Sequence, residues 1–228
     1  MSINYYHDEA LETIARKIIA LYNPELLYAP SLIPVEDIME KAYGLKLEYQ
    51  YIRKNGRILG ETVFEDAEIP IYERGNNEGY KLISVKAGTV IIDASLLHEQ
   101  SNSGRLRFTC AHELAHWVID KNYFTQLGET ANLSSNTMNV EFSDELSGDV
   151  GAKLSNSEKA VRSSDTGAAV ERQANRLASR ILMPKCTVKP AFHEARRNKS
   201  NIASYLAAMY GVSNQAMQIR LNEMRLLT

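Results

Sequence analysis

Apolar residues recur at intervals of three and four positions at the start of the chain and again in its last third. In the segment 8–22 this period places Leu11, Ala15 and Ile18 on one side, which predicts an amphipathic helix with one buried stripe. Similar periods, together with capping and helix-ending residues, predict further helices at about 34–43, 105–119, 168–183, 202–210 and 214–226.

Short runs rich in β-branched and aromatic residues lie between the second and third of these helices. Turns rich in glycine and asparagine separate the runs, which is typical of strands. The predicted strands are 45–52, 61–64, 81–85 and 89–93. Together they predict a small antiparallel sheet.

The segment 132–166 differs from the rest of the chain, since it is rich in Ser, Asn, Gly and Asp and has few periodic apolar positions. Such a composition buries too little apolar surface to offset the entropy lost on ordering. We therefore expect either a mobile lid or a passive surface insertion, outside the core in both cases.

Composition and charge exclude several classes of protein. Hydrophobic residues make up 44% and charged residues 24%, as in ordinary globular proteins, and the net charge of −2 gives no overall attraction to nucleic acid or membranes. Cys110 and Cys186 are too few for a disulfide framework. The segment 1–21 is interrupted by charged residues, and no stretch approaches the roughly 20 apolar residues of a membrane span. The sequence predicts a cytoplasmic protein.

The third predicted helix contains an H-E-x-x-H motif, His112 to His116. Residues four apart lie on one face of a helix, so both imidazoles can reach the same cation, while Glu113 projects beside it toward a water molecule. Apolar neighbours such as Phe108 and Val118 suit an active-site helix packed under a cleft. The alternative is a solvated helix face that happens to hold two histidines.

A catalytic zinc needs three protein ligands and an open position, so a third ligand must come from elsewhere. The strongest candidate is Glu171, which opens the periodic segment that ends at Pro184. Asn175 lies one turn further on, where its amide oxygen could accept the second N–H of a metal-bound histidine. The alternative for Glu171 is a surface glutamate favoured by the dipole at a helix N-terminus.

Several other side chains are weaker candidates for the third ligand. Three carboxylates sit in the irregular segment, and two histidines have no helical partner at ligand spacing. These residues are Glu141, Asp144, Glu145, His98 and His193. Cys110, two residues before the first motif histidine, is interpreted as a small buried hydrophobic residue.

Two longer motifs follow one another in the chain: residues 107–117 read RFTCAHELAHW, and residues 171–184 read ERQANRLASRILMP. The pair resembles the ImmA/IrrE family of metallopeptidases, whose members carry R-F-T-x-A-H-E-x-x-H and then E-x-x-A-N-x-F-A-x-x-L-L-M-P. Leu177 replaces the usual phenylalanine, a change within the apolar class. The gap between His116 and Glu171 is longer than in compact members.

The resemblance implies an α+β, gluzincin-like fold with a small antiparallel sheet, an H-E-x-x-H helix, a second ligand helix and a helical C-terminal segment. It implies zinc bound by His112, His116 and Glu171, with Glu113 as the catalytic base. It also implies a site-specific endopeptidase. In well-described members the substrate is a helix-turn-helix transcriptional repressor, often encoded nearby on a mobile element.

The expected domain organisation is a metallopeptidase domain over residues 1–184, including the segment 132–166, and a helical C-terminal subdomain over residues 185–228. An edge strand from about 81–93 is expected to hold an extended substrate by backbone pairing. Zinc is the expected metal, although two histidines and a carboxylate also suit manganese or iron.

The alternative function is a non-catalytic module with a structural or vestigial metal site, in which the C-terminal segment binds a protein or DNA. From residue 185 onward, seven Lys and Arg stand against two Glu, a local net charge of +5. However, the segment 214–226 has apolar residues at many positions, whereas a DNA-recognition helix needs exposed polar side chains. A structural metal site would also have no use for Glu113.

Overall fold

The structure of the protein is a computed structural model that describes residues 4–52, 58–73, 79–98, 103–122, 137–141, 165–198 and 201–227. In these ranges there are seven helices: α1 (Asp8–Tyr22), α2 (Val35–Asp37, continued by a π-helical turn at Ile38–Ala42), α3 (Ser103–Ile119), α4 (Asp165–Leu182), α5 (Lys185–Asn198), α6 (Ile202–Tyr210) and α7 (Asn214–Glu223). The strands are β1 (Lys46–Gln50), β2 (Ile58–Val63), β3 (Ala67–Tyr72), β4 (Tyr80–Val85), β5 (Thr89–Asp93) and β6 (Thr137–Glu141).

The strands form two sheets, one of four strands in the order β1-β5-β2-β6 and one made of β3 and β4. In the larger sheet β1 runs parallel to β5, whereas β2 is antiparallel to both β5 and β6. The prediction of a single antiparallel sheet is therefore wrong. The long connection between β1 and β5, which includes β2, β3 and β4, permits a parallel pairing that a short hairpin does not.

Two strands were not predicted. β3 contains Pro70, which cannot donate to a strand ladder and so weakens the local strand pattern, and it pairs with β4 from Ala67↔Val85 to Tyr72↔Tyr80. β6 lies inside the segment 132–166 and pairs with β2. Apart from β6 and the first residues of α4, that segment lies outside the described residues, so the lid stays a prediction.

The predicted helices are present, with α4 beginning at Asp165 rather than near residue 168. Helix α5 was not predicted. Pro184 ends the preceding helix as expected, but its carbonyl oxygen then accepts the N–H groups of Thr187 and Val188 and starts the next helix. Pro190 inside α5 conceals its helical pattern at the sequence level.

One hydrophobic cluster joins α1, α3, the four C-terminal helices and the larger sheet. Its members include Leu11, Leu114, Ile181, Tyr210 and Leu221. The helices predicted as a C-terminal subdomain thus share the core of the preceding residues. A smaller cluster links β2 and β5 to β3 and β4.

Helix α3 lies at the centre of this arrangement, packed against α4 and against β2 and β5. Every residue from 109 to 116 is buried. The polar residues on this stretch therefore need partners inside the protein. None of the described helices combines the length and the apolar content that crossing a membrane requires.

Candidate metal centre

The two motif histidines lie one turn apart on α3, and both are completely buried. The Nε2 atoms of His112 and His116 are 2.7 Å apart. The helical spacing thus brings two potential ligand nitrogens to one point.

Helix α4 brings Glu171 to the same point. Its Oε2 lies 3.4 Å from Nε2 of His112 and 3.9 Å from Nε2 of His116. The three ligand atoms lie within 4.8 Å of one another. The Glu171 side chain is 27% exposed, whereas the histidines are enclosed, so the carboxylate lies on the more open side of the group.

An oxygen atom lies behind each imidazole ring. Nδ1 of His112 is 2.8 Å from Oδ1 of Asn175, and Nδ1 of His116 is 2.8 Å from Oδ2 of Asp120. An amide oxygen and an ionised carboxylate only accept hydrogen bonds, so each Nδ1 is the donor. Each Nε2 then keeps its lone pair and directs it toward the other two ligand atoms.

This donor set fits a divalent cation. Two imidazole lone pairs and a carboxylate oxygen repel one another at these distances, and positive charge between them removes the repulsion. Two nitrogens and one oxygen suit zinc, and they also suit manganese or iron. His112, His116 and Glu171 are therefore the residues that could hold a metal.

Glu113 is completely buried against strand β2. The hydroxyl of Thr62 donates to its Oε2 at 2.5 Å, while Oε1 has no hydrogen-bond partner among the described residues. A Cβ atom at Gly60 would collide with Oε1, so only glycine at this position leaves room for the carboxylate. Burial raises the pKa of Glu113 to about 8, despite the opposing effects of His116 and of the Thr62 hydrogen bond.

The other ligand candidates do not join this group where the structure describes them. His98 is exposed and its Nε2 lies 2.7 Å from the hydroxyl of Tyr51. His193 is exposed on α5. The side chain of Glu141, and the whole of Asp144 and Glu145, lie outside the described residues. Cys110 is buried, and its burial raises the pKa of the thiol.

Sequence reasoning missed Asp120, Thr62 and Gly60. Asp120 follows His116 by four residues, which is the spacing that relates the two histidines, so the same argument would have found it. Thr62 and Gly60 come from a strand about fifty residues before the motif. No local pattern links them to Glu113.

Comparison with known proteins gives a match to a family model and similarity to solved structures. The IrrE N-terminal-like domain of the M78 peptidases matches residues 150–222, a segment that contains Glu171 and Asn175 but not the H-E-x-x-H motif. No curated protein matches the sequence. A solved structure of a Mycobacterium tuberculosis transcriptional regulator is similar with a TM-score of 0.48 and 15% identity, over 96% of this chain and 47% of that one. The chain thus spans about half the length of that protein.

Proposed function

We propose that this chain is a zinc-dependent, site-specific endopeptidase of the ImmA/IrrE family, a proposal supported by the match of residues 150–222 to the IrrE N-terminal-like domain. One observation carries the proposal. The Nε2 atoms of His112 and His116 and a carboxylate oxygen of Glu171 converge. Glu113, whose carboxylate is fully buried, directly follows His112 on α3.

The proposed chemistry divides between the metal and the protein. A divalent cation held by His112, His116 and Glu171 would supply a Lewis acid that polarises the scissile carbonyl group. Glu113 takes a proton from the attacking water and passes it to the leaving amine. Thr62 holds Oε2 of this carboxylate, so Oε1 is the atom that receives the proton. The positive charge of a cation bound there would lower the pKa of Glu113 and so keep its carboxylate ionised before the reaction.

The proposed substrate is a specific protein, and by the family resemblance a helix-turn-helix transcriptional repressor. The expected edge strand near 81–93 is found only in part, because β5 lies between β1 and β2, whereas β4 pairs with β3 and forms one edge of the smaller sheet. Among the described strands, β1 and β6 form the two edges of the larger sheet. Since β6 pairs with β2, which carries the Thr62 and Gly60 contacts to Glu113, we propose that an extended substrate segment pairs with β6.

The alternative, a DNA-binding C-terminal segment, is less well supported by the placement of its charges. Arg220 is 1% exposed and donates to Glu12 inside the protein. Lys185 pairs with Glu9 of α1. Helix α7 also buries Met217 and Leu221 in the core. Two of the positive charges of this segment are therefore paired with carboxylates of α1 rather than left on one basic surface.

The test begins with metal content. The purified protein is expected to bind close to one zinc ion per chain, and His112→Ala, His116→Ala or Glu171→Ala is expected to remove most of it. His98→Ala and His193→Ala are the matched controls, since both histidines are exposed. Equal zinc loss from a control would show that the ligand set is wrong.

Activity is tested on purified helix-turn-helix repressors as candidate substrates. Glu113→Gln should keep zinc and the fold but lose cleavage by several orders of magnitude, because an amide cannot accept the proton of the water. Glu194→Gln, an exposed glutamate on α5, should cleave normally. Retained cleavage by Glu113→Gln would contradict the proposed mechanism.

A further inference from the structure

Asp120 directly follows α3 and is 2% exposed, although it is a charged residue. It contacts His116 twice. Its backbone N–H donates to the carbonyl oxygen of His116 at 2.9 Å, and its Oδ2 accepts from Nδ1 of the same residue at 2.8 Å. Helical geometry therefore fixes the carboxylate behind the ring.

The two histidines differ in what lies behind them. His112 contacts a neutral amide, that of Asn175, and this asparagine is exposed. His116 contacts a carboxylate that is enclosed with it. A buried charge is poorly screened by water and salt, so Asp120 acts on its imidazole more strongly than the exposed amide acts on His112.

A buried carboxylate disfavours folding unless charge or hydrogen bonds compensate it. Within the described part of the chain, His116 supplies the side-chain contact of Asp120. A neutral imidazole donates one hydrogen bond but does not balance the negative charge. Positive charge at Nε2, on the far side of the ring, would balance it through the imidazole.

We propose that Asp120 is a positioning residue that holds His116 in the Nδ1–H tautomer and makes it the stronger of the two nitrogen ligands. This inference rests on the proposed metal site. It predicts that the negative charge of Asp120, and not only its hydrogen bond, increases the affinity of the site for a divalent cation.

Asp120→Asn separates these two effects, because asparagine keeps an acceptor oxygen and nearly the same size but has no charge. Zinc affinity, measured by competition with a coloured chelator, is expected to fall by about 10–100-fold. The absorption spectrum of the Co²⁺-loaded protein should change with it. Asp66→Asn is the matched control, since Asp66 is a surface carboxylate that pairs with Lys86, and it should leave both readouts unchanged.

A second experiment moves the negative charge from residue 120 to residue 175. Asn175→Asp in the Asp120→Asn background returns a carboxylate to the site, now behind His112, and should recover part of the zinc affinity, because residue 175 is exposed and its charge is more strongly screened. Nitrogen-15 NMR of the metal-free protein should show the Nδ1–H form of His116 in both the wild type and Asp120→Asn, because each has an acceptor oxygen behind the ring. Thermal unfolding of each metal-free variant shows whether the fold is kept.

The possible outcomes are distinct. A wild-type protein that binds no zinc would overturn the proposed function and this inference together. Zinc binding by the wild type with equal affinity in Asp120→Asn would overturn the role of Asp120 alone. Lost affinity that Asn175→Asp does not recover, or that occurs only because metal-free Asp120→Asn is unfolded, would also overturn it.

Discussion

The Glu113 carboxylate is held by a strand, not by its own helix. Thr62 of β2 donates to Oε2, and the missing side chain of Gly60 on the same strand gives Oε1 its space. Both residues lie in the core, where a carboxylate with fewer partners would be costly. Strand β2 therefore determines which way the proposed base faces.

Replacing Thr62 by valine tests this arrangement. The variant keeps a similar shape but removes the donor, so the carboxylate loses the hydrogen bond that orients it. A hydrogen bond to a charged group contributes about 1.5–3 kcal/mol, which corresponds to a rate of substrate cleavage lower by roughly 10- to 100-fold. Zinc content should not change. Thr62→Ser keeps the hydroxyl and should restore most of the rate, and wild-type cleavage by Thr62→Val would show that Thr62 has no orienting role.

At the level of residues, the sequence predicted the side chains that belong to helical motifs, but it missed Asp120 beside the first motif and the two residues that β2 contributes. The spacing of His112 and His116 is set by helical geometry, and Glu171 and Asn175 follow from a second helical motif. The structure brings all four together. Thr62 approaches Glu113 only because β2 packs on α3, and that packing depends on the whole fold.

The helices of the two halves of the chain are joined by a network of ion pairs around two buried arginines, Arg180 and Arg220. Arg220 of α7 donates to Glu12 of α1, to Glu223 and to the backbone oxygen of Met183. Arg180 of α4 lies 3.4 Å from the same Glu12 and also pairs with Asp8. The network thus fixes α1, α4 and α7 relative to one another.

Arg220→Met is expected to lower the free energy of unfolding by about 3–5 kcal/mol, since it leaves the buried Glu12 carboxylate with less compensating charge. Urea denaturation of the purified protein measures this loss. Arg197→Met on the exposed face of α5 is the matched control and should stay within about 0.5 kcal/mol of the wild type. Equal stability of the two variants would mean that the network does not stabilise the fold.

The local sequence pattern predicted where helices and strands lie better than it predicted which strands pair. Helices α1, α6 and α7 are found where apolar periodicity and capping residues indicated them. The parallel pairing of β1 with β5 joins residues more than forty positions apart, and no local sequence pattern predicts it. Strand β6 is only five residues long and lies in a polar segment, so it gains its structure from pairing with β2.

At the scale of the whole molecule, the proposed catalytic base also affects the stability of the fold that encloses it. Glu113 is completely buried, and burial raises its pKa from 4.5 to about 8. In the metal-free protein the folded chain therefore keeps a proton that the unfolded chain releases at much lower pH. The stabilisation that comes from this proton is fully present below the unfolded pKa and is lost as the pH rises through the folded pKa.

The free energy of unfolding of the metal-free protein should therefore fall by on the order of 3 kcal/mol between about pH 5 and about pH 8 because of Glu113. Glu113→Gln does not titrate, so its stability should depend less on pH by this amount. Urea denaturation of both proteins across this range, with a chelator present, gives the two curves. The two proteins differ only at residue 113, so the difference between the curves isolates the effect of this carboxyl group. Parallel curves would mean that the carboxyl is not held in its protonated form by burial, and that its environment in the metal-free protein is more polar than its position against Gly60 and Thr62 implies.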